Sequence, residues 1–159
     1  GRQVLDLRPV FDRFYAEEFH GAKTATGENP LAQPAVAGLK AKGYQVILAT
    51  NPLFPAVGVA TRLSWVGLAP EDFLAVTSYE GSSYCKPNPD YYRELLAQTG
   101  KRPEQCLMVG NDITEDMIAG KIGMKTFLVT DHLTNRDGEK VTGYDSGTMK
   151  DFESLSETL

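Results

Sequence analysis

An α/β fold with a parallel sheet covered by helices on both faces is what this sequence predicts, and three observations predict it. From about residue 31 onward, short apolar runs alternate with stretches of helical length, the βαβ order that builds parallel sheets through right-handed crossovers. The apolar runs are continuous rather than alternating, as strands covered on both faces require. Polar and charged residues gather where each run ends, at the carboxyl edge where open parallel sheets bind ligands.

Each element follows in order. Residues 8–20 predict one amphipathic helix with Phe11, Phe14, Tyr15 and Phe19 on its apolar side, and residues 20–30, rich in Gly, Thr, Ala and Asn, predict a loop. Leu31 to Lys42 predicts a helix, with Pro34 near its start and Gly43 at its stop. Val46-Ile47-Leu48-Ala49 predicts the first strand. Phe54 to Val66 predicts a helix closed by Gly67, with Trp65 on its core face. Phe73-Leu74-Ala75-Val76 predicts a second strand, and Asn88-Pro89 opens a helix ending at Gly100. Cys106-Leu107-Met108-Val109 predicts a third strand, Ile113 to Ile122 a helix stopped by Gly123, and Thr126-Phe127-Leu128-Val129 a fourth strand. After Asp131 the chain turns polar, and a short last helix is expected after Thr148.

The composition, 42% hydrophobic and 23% charged over 159 residues, is that of a globular protein and excludes a disordered or fibrous chain. Sixteen basic against 21 acidic residues leave a net charge of −5, which argues against a broad nucleic-acid surface. Cys85 and Cys106 form no metal-binding spacing and are expected to be reduced thiols. No apolar run approaches the roughly 18 residues of a membrane span, and the start lacks the pattern of a signal peptide. The expected location is the cytoplasm, without membrane contact. GxGxxG, GxxxxGK[ST], HExxH and GxSxG are all missing from the chain, which ranks a nucleotide-binding domain last and removes the commonest zinc and serine sites.

The strand ends carry the chemistry. They deliver Thr50-Asn51 after the first run, Lys86 in the loop after the second, and Gly110-Asn111-Asp112 with Glu115 and Asp116 after the third. Phosphoryl transfer needs this set: a hydroxyl and N–H groups for phosphate oxygens, a lysine to neutralise them, and carboxylates for a Mg²⁺. Taken singly, each residue has a plainer role. Thr50 would bond local backbone, Lys86 would be a solvated surface lysine, and Asp112 and Asp116 would be charges at a helix start. Their succession at consecutive strand ends favours the constellation. The Tyr79, Tyr84, Tyr91 and Tyr92 group is expected to pack around the Lys86 loop, and His132 to be a surface histidine.

In these motifs the sequence resembles the haloacid dehalogenase-like (HAD) hydrolase superfamily over roughly residues 30–131. The second family motif is matched by Val46-Ile47-Leu48-Ala49-Thr50-Asn51, the third by Lys86-Pro87-Asn88-Pro89-Asp90, and the fourth by Leu107 through Asp116. The resemblance implies a Rossmann-like core and a phosphatase using Mg²⁺ on a small phosphorylated metabolite. It implies Thr50 and Asn51 at the transferring phosphoryl group and Lys86 beside the phosphoryl charge. It implies Asn111 or Asp112 as direct metal ligand, with Asp116 as a supporting acid. By strand register Asn111 takes the position where the family usually has Asp.

The first family motif, an apolar strand ending Asp-x-Asp-x-Thr, has no match; Asp6-Leu7-Arg8-Pro9 lacks the second acid and the threonine. The expectation is therefore a chain without its nucleophile and without the central first strand of its sheet, inactive in this form. Residues 1–20 would be the remnant of a helical cap, 21–30 a linker, and 31–159 an incomplete core, with the first motif lying upstream in a parent protein. A non-catalytic phosphate-binding regulatory protein on the same fold is the alternative.

Overall fold

Every strand pairing in the computed structural model is parallel, as the βαβ order requires. The structure describes residues 6–27 and 29–157, and the chain divides into two units, Gly1–Gly81 and Ser82–Leu159. The division falls inside the stretch expected to form the core. No described helix is long and apolar enough to cross a membrane.

The first unit opens with helix α1 (Arg8–Arg13), continued by a wide turn over Phe14–Glu18 and a tight 3₁₀ segment over Phe19–Ala25. Helical structure thus runs five residues past the predicted end, into the expected loop. Aromatic contacts accompany the extension: Phe19 stands 5.1 Å from Tyr15, 5.8 Å from Phe54 and 5.5 Å from Trp65 between ring centres. Helix α2 (Ala32–Ala41) carries Pro34 in its first turn, where its missing N–H costs no intrahelical bond. Strand β1 (Ile47–Leu48) pairs with β2 (Ala75–Val76). Between them lies α3 (Ala56–Ser64), whose Gly58 leaves little room for a side chain, because Tyr15 Cδ1 would lie 3.0 Å from its Cβ. The Glu80 carboxylate accepts the Ala56 N–H at 3.0 and 3.1 Å, closing the start of α3.

This unit's core is thin. Among the described residues its buried apolar side chains include Ala35, Val59 and Leu63, while Leu7, Val10, Phe11, Phe14, Leu53 and Val57 stand exposed. Trp65 is half-buried, against the expectation of a core position.

The second unit has the fuller core. Helix α4 (Pro89–Thr99) starts where Asn88 Oδ1 accepts the Asp90 N–H, ends at left-handed Gly100, and buries Tyr91, Tyr92, Leu95 and Leu96. Strands β3 (Leu107–Gly110), β4 (Lys125–Val129) and β5 (Ser146–Gly147) follow in the order β3-β4-β5. Helix α5 (Met149–Ser156) is capped reciprocally by Thr148 and Asp151 and seats Phe152 against Phe127. Two residues as small as Ser146 and Gly147 gave no sign of a strand.

The predicted helix over 113–122 differs most from what forms. Residues 113–116 make turns, and only Met117–Ile122 is helical, as a 3₁₀ segment. Its early backbone donors are already taken. The Ile113 N–H donates to the Thr134 carbonyl, Asp112 N–H to the Asp116 carboxylate, and Glu115 N–H to the Asp112 carboxylate. These are N–H groups that a helix start leaves without intrahelical partners, and beyond them the chain continues as turns and a 3₁₀ segment rather than as a regular helix.

Candidate functional site

The turn after β3 and the loop before α4 meet in one buried ion pair. Lys86 Nζ lies 2.6 Å from Asp116 Oδ1, with 5% and 8% of the two side chains exposed. A lysine this buried requires an anionic partner, so the reading of Lys86 as a solvated surface residue does not hold. The Tyr91 and Tyr92 rings stand 5.6 and 5.7 Å from the ammonium, within cation–π range. Of the four tyrosines expected around Lys86, these two are buried, while Tyr79 and Tyr84 are exposed.

Asp116 also organises the turn that carries it. Its Oδ2 accepts the Asp112 N–H at 3.0 Å, and this closeness depends on Gly110. A Cβ at Gly110 would overlap Asp116 Cγ and Oδ2 and lie 2.7 Å from its Cβ. Asp112 Oδ1 accepts the Glu115 N–H at 2.9 Å, and the Tyr92 hydroxyl donates to the Glu115 carbonyl at 2.8 Å. Burial, with the charges of Asp116, Glu115 and Asp112 and with Tyr91 nearby, pushes the Tyr92 phenol far above its ordinary value, so it serves as a permanent donor.

A strap of residues 132–137 lies along this turn. Asn111 Nδ2 donates to the His132 carbonyl at 2.5 Å, Thr134 N–H to the Asn111 carbonyl at 2.8 Å, and Thr114 Oγ1 to Asp137 Oδ2 at 3.2 Å. Asp112 and Thr134 form an isolated parallel bridge. Arg136 extends from the strap to Asp112 Oδ2 at 3.4 Å and Glu115 Oε1 at 3.5 Å. His132 is exposed.

Of the six residues singled out in the sequence, the structure brings Lys86, Asp112 and Asp116 together, with Asn111 at the edge of the same turn. Thr50 and Asn51 belong to the first unit. Both are half-buried just past β1, where the Thr50 carbonyl accepts the Thr77 hydroxyl at 2.7 Å. Thr50 also lines a cavity of about 270 Å³ with Thr26, Leu48, Arg62, Leu63 and Trp65. Arg136 was not singled out; a lone arginine in a polar segment carries no signal of its own.

The donor chemistry suits a hard divalent cation. Asp112 and Asp116 offer only oxygen, and Mg²⁺ characteristically takes one or two carboxylates and fills the rest with waters and phosphate oxygens. Among the described residues no group of three or more acidic, histidine or cysteine side chains is placed to hold a metal ion.

Comparison with known proteins finds hydrolase relatives. The family model for haloacid dehalogenase-like hydrolases matches residues 4–122. A glyceraldehyde 3-phosphate phosphatase of Methanothermobacter thermautotrophicus is 32% identical over 133 residues, covering 82% of this chain and 58% of the relative. A phosphoglycolate phosphatase of Escherichia coli is 34% identical over 121 residues, covering 74% of this chain and 46% of the relative. The chain thus spans about half the length of the curated relatives it matches. Among solved structures, a HAD phosphatase from Thermococcus onnurineus superposes with a TM-score of 0.61 at 22% identity, covering 80% of this chain and 57% of that one. The L-2-haloacid dehalogenase of Xanthobacter autotrophicus superposes at 0.64 with 16% identity, covering 82% and 61%. Since one of these cleaves a different bond, the shared fold alone does not select the reaction.

Proposed function

The chain belongs to the haloacid dehalogenase-like hydrolase family, and on that premise we propose that it is the greater part of the core of a Mg²⁺-dependent phosphoester hydrolase acting on a small phosphorylated metabolite in the cytoplasm. The observation that carries this reading is the buried Lys86–Asp116 pair beside Asp112. A fixed ammonium next to carboxylates serves a substrate whose negative charge must be matched on one side by a lysine and on the other by a metal. Phosphatase relatives above 30% identity favour cleavage of a phosphate ester over cleavage of a carbon–halogen bond.

In this proposal the Thr50 hydroxyl and the Asn51 amide hold phosphoryl oxygens, and Lys86 lowers the energy of the charge that builds there. Asp112 is the direct metal ligand, Asn111 a weaker candidate since its amide oxygen carries no net charge, and Asp116 the group that fixes both Lys86 and the turn. Mg²⁺ held there would supply positive charge against the phosphoryl oxygens. The 159 residues by themselves should turn over little or no substrate, because none of their aspartates stands in an Asp-x-Asp-x-Thr motif. That same feature favours a second reading, a non-catalytic phosphate-binding regulatory protein on this fold.

Hydrolysis of p-nitrophenyl phosphate by the full-length protein tests both. The first reading expects activity in Mg²⁺, its loss in EDTA, and a fall of at least about 100-fold for Lys86→Met and for Asp112→Asn, the scale of removing one preorganised electrostatic group. A well-folded full-length protein that binds phosphate but stays inert across a panel of phosphate esters would transfer the case to the second.

A further inference from the structure

We propose that Arg136 is an exchangeable counter-ion, occupying the acidic turn in place of a divalent cation and setting the affinity with which that cation binds. The inference rests on the reading of Asp112 as the Mg²⁺ ligand.

The four carboxylate oxygens of Asp112 and Asp116 have distinct partners. Asp116 Oδ1 is held by Lys86, Asp116 Oδ2 by the Asp112 N–H, and Asp112 Oδ1 by the Glu115 N–H. Those partners are backbone groups or a buried ammonium, and none can leave without unfolding the turn. The fourth oxygen, Asp112 Oδ2, faces Arg136. This partner is of another kind. Its side chain is 66% exposed, whereas those of Asp112 and Glu115 are 12% and 21% exposed. Its contacts of 3.4 and 3.5 Å are those of a loose ion pair rather than of tight hydrogen bonds.

The base of this arm is fixed while its head is loose. Asn135 clamps the strap by accepting the Glu139 N–H and donating to the Glu139 carbonyl, both at 2.9 Å. Thr134 ties the strap to residues 111 and 113. The guanidinium is therefore always at hand, yet it swings into water at little cost, since exposed pairs of this kind contribute only weakly. A divalent cation at Asp112 Oδ2 would repel it, so the two occupy the turn in alternation.

Calorimetric titration of the full-length protein with MgCl₂, at low and at high ionic strength, tests this. Arg136→Ala and Arg136→Gln should each bind Mg²⁺ up to about fivefold more tightly than wild type at low salt, the range expected when a competing exposed pair is removed. The gain should shrink in about 0.5 M KCl, where exposed charges are screened. In an Asp112→Asn background the Arg136 substitutions should change nothing. Unchanged or weaker Mg²⁺ binding in both Arg136 variants, with wild-type binding still dependent on Asp112, overturns the counter-ion role alone. Wild-type protein that takes up no Mg²⁺, or takes it up equally well as Asp112→Asn, overturns the metal reading and this inference with it.

Discussion

Substituting Gly110 by alanine isolates one steric contact on which the whole acidic turn depends. Gly110 is not in a left-handed conformation, so the backbone accepts alanine and the obstacle is space alone. The new methyl would overlap Asp116 Cγ and Oδ2 and come within 2.7 Å of Asp116 Cβ. Because Cβ is tied to the backbone, a rotamer change cannot clear the clash. Asp116 must retreat and give up the 2.6 Å bond from Lys86 and the 3.0 Å bond from the Asp112 N–H. Hydrogen bonds to charged groups contribute about 1.5–3 kcal/mol each, and a buried lysine stripped of its partner adds its own desolvation cost. The expected loss is about 3–5 kcal/mol, a large share of a typical domain stability of roughly 5–15 kcal/mol. Urea denaturation at neutral pH measures it, with Gly143→Ala as the reference. Gly143 has open space around its position and an ordinary backbone, so alanine there should stay within about 0.5 kcal/mol of wild type. Combining Gly110→Ala with Asp116→Ala should cost clearly less than the two singly, because both remove the same bonds. A Gly110→Ala protein losing less than about 1 kcal/mol, or one fully additive with Asp116→Ala, would refute the reasoning.

Three further outcomes are expected. Lys86→Met leaves the buried Asp116 carboxylate without its cation and should cost about 3–5 kcal/mol in urea unfolding, much of it recovered when Asp116 is also made apolar. Tyr92 keeps its proton in the folded state where an unfolded tyrosine would lose it. The unfolded state therefore binds fewer protons above about pH 10, and stability should fall as pH rises beyond that point. In the tyrosinate absorbance of the folded protein Tyr92 should stay silent until alkaline unfolding, so Tyr92→Phe should lower by one the number of tyrosines that ionise only on unfolding. Glu80→Ala removes the anion at the start of α3 and should lower stability by about 1 kcal/mol. Although burial works to raise the Glu80 carboxyl, hydrogen bonds from Ser78 and Ala56 outweigh it and hold the group below its ordinary value. The wild-type advantage should therefore persist at neutral pH and fade as the solution is acidified past that group's titration, which thermal melts at several pH values would follow.

What the sequence made legible is what depends on local pattern. The apolar runs around Ile47, Ala75, Met108 and Phe127 became parallel strands, and Asn88 and Gly100 bound α4 as their chemistry requires. The segment after Gly110 makes turns and a 3₁₀ segment instead of the regular helix its apolar spacing predicts, and the bond from the Ile113 N–H to the distant Thr134 carbonyl is a contact that periodicity does not register. The extension of helical structure to Ala25 was hidden for a related reason, since the ring contacts of Phe19 with Phe54 and Trp65 join residues far apart in sequence. At the candidate site, Lys86, Asp112 and Asp116 were visible as a motif. Arg136 was not, because its role comes from the pairing of the 132–137 strap with the turn at 111–114.

The charges on the acidic turn explain why it holds two basic residues of such unequal burial. Asp112, Glu115 and Asp116 bring three negative charges, and Lys86 and Arg136 return two. With both cations in place the turn is slightly anionic, a poor reception for a phosphate ester. Replacing Arg136 by a divalent ion would bring the same turn to neutrality while Lys86 stays fixed. A second buried lysine in place of Arg136 would have given a more stable turn with no vacancy for a metal, and an empty position would have left Asp112 and Glu115 repelling each other across a partly desolvated surface. A loosely held, exposed arginine satisfies both demands, keeping the carboxylates apart in charge until a stronger cation arrives. On the proposed reading, the inequality between a 2.6 Å buried pair and a 3.4 Å exposed one would separate the charge that stays through the reaction from the charge that gives way to the cation.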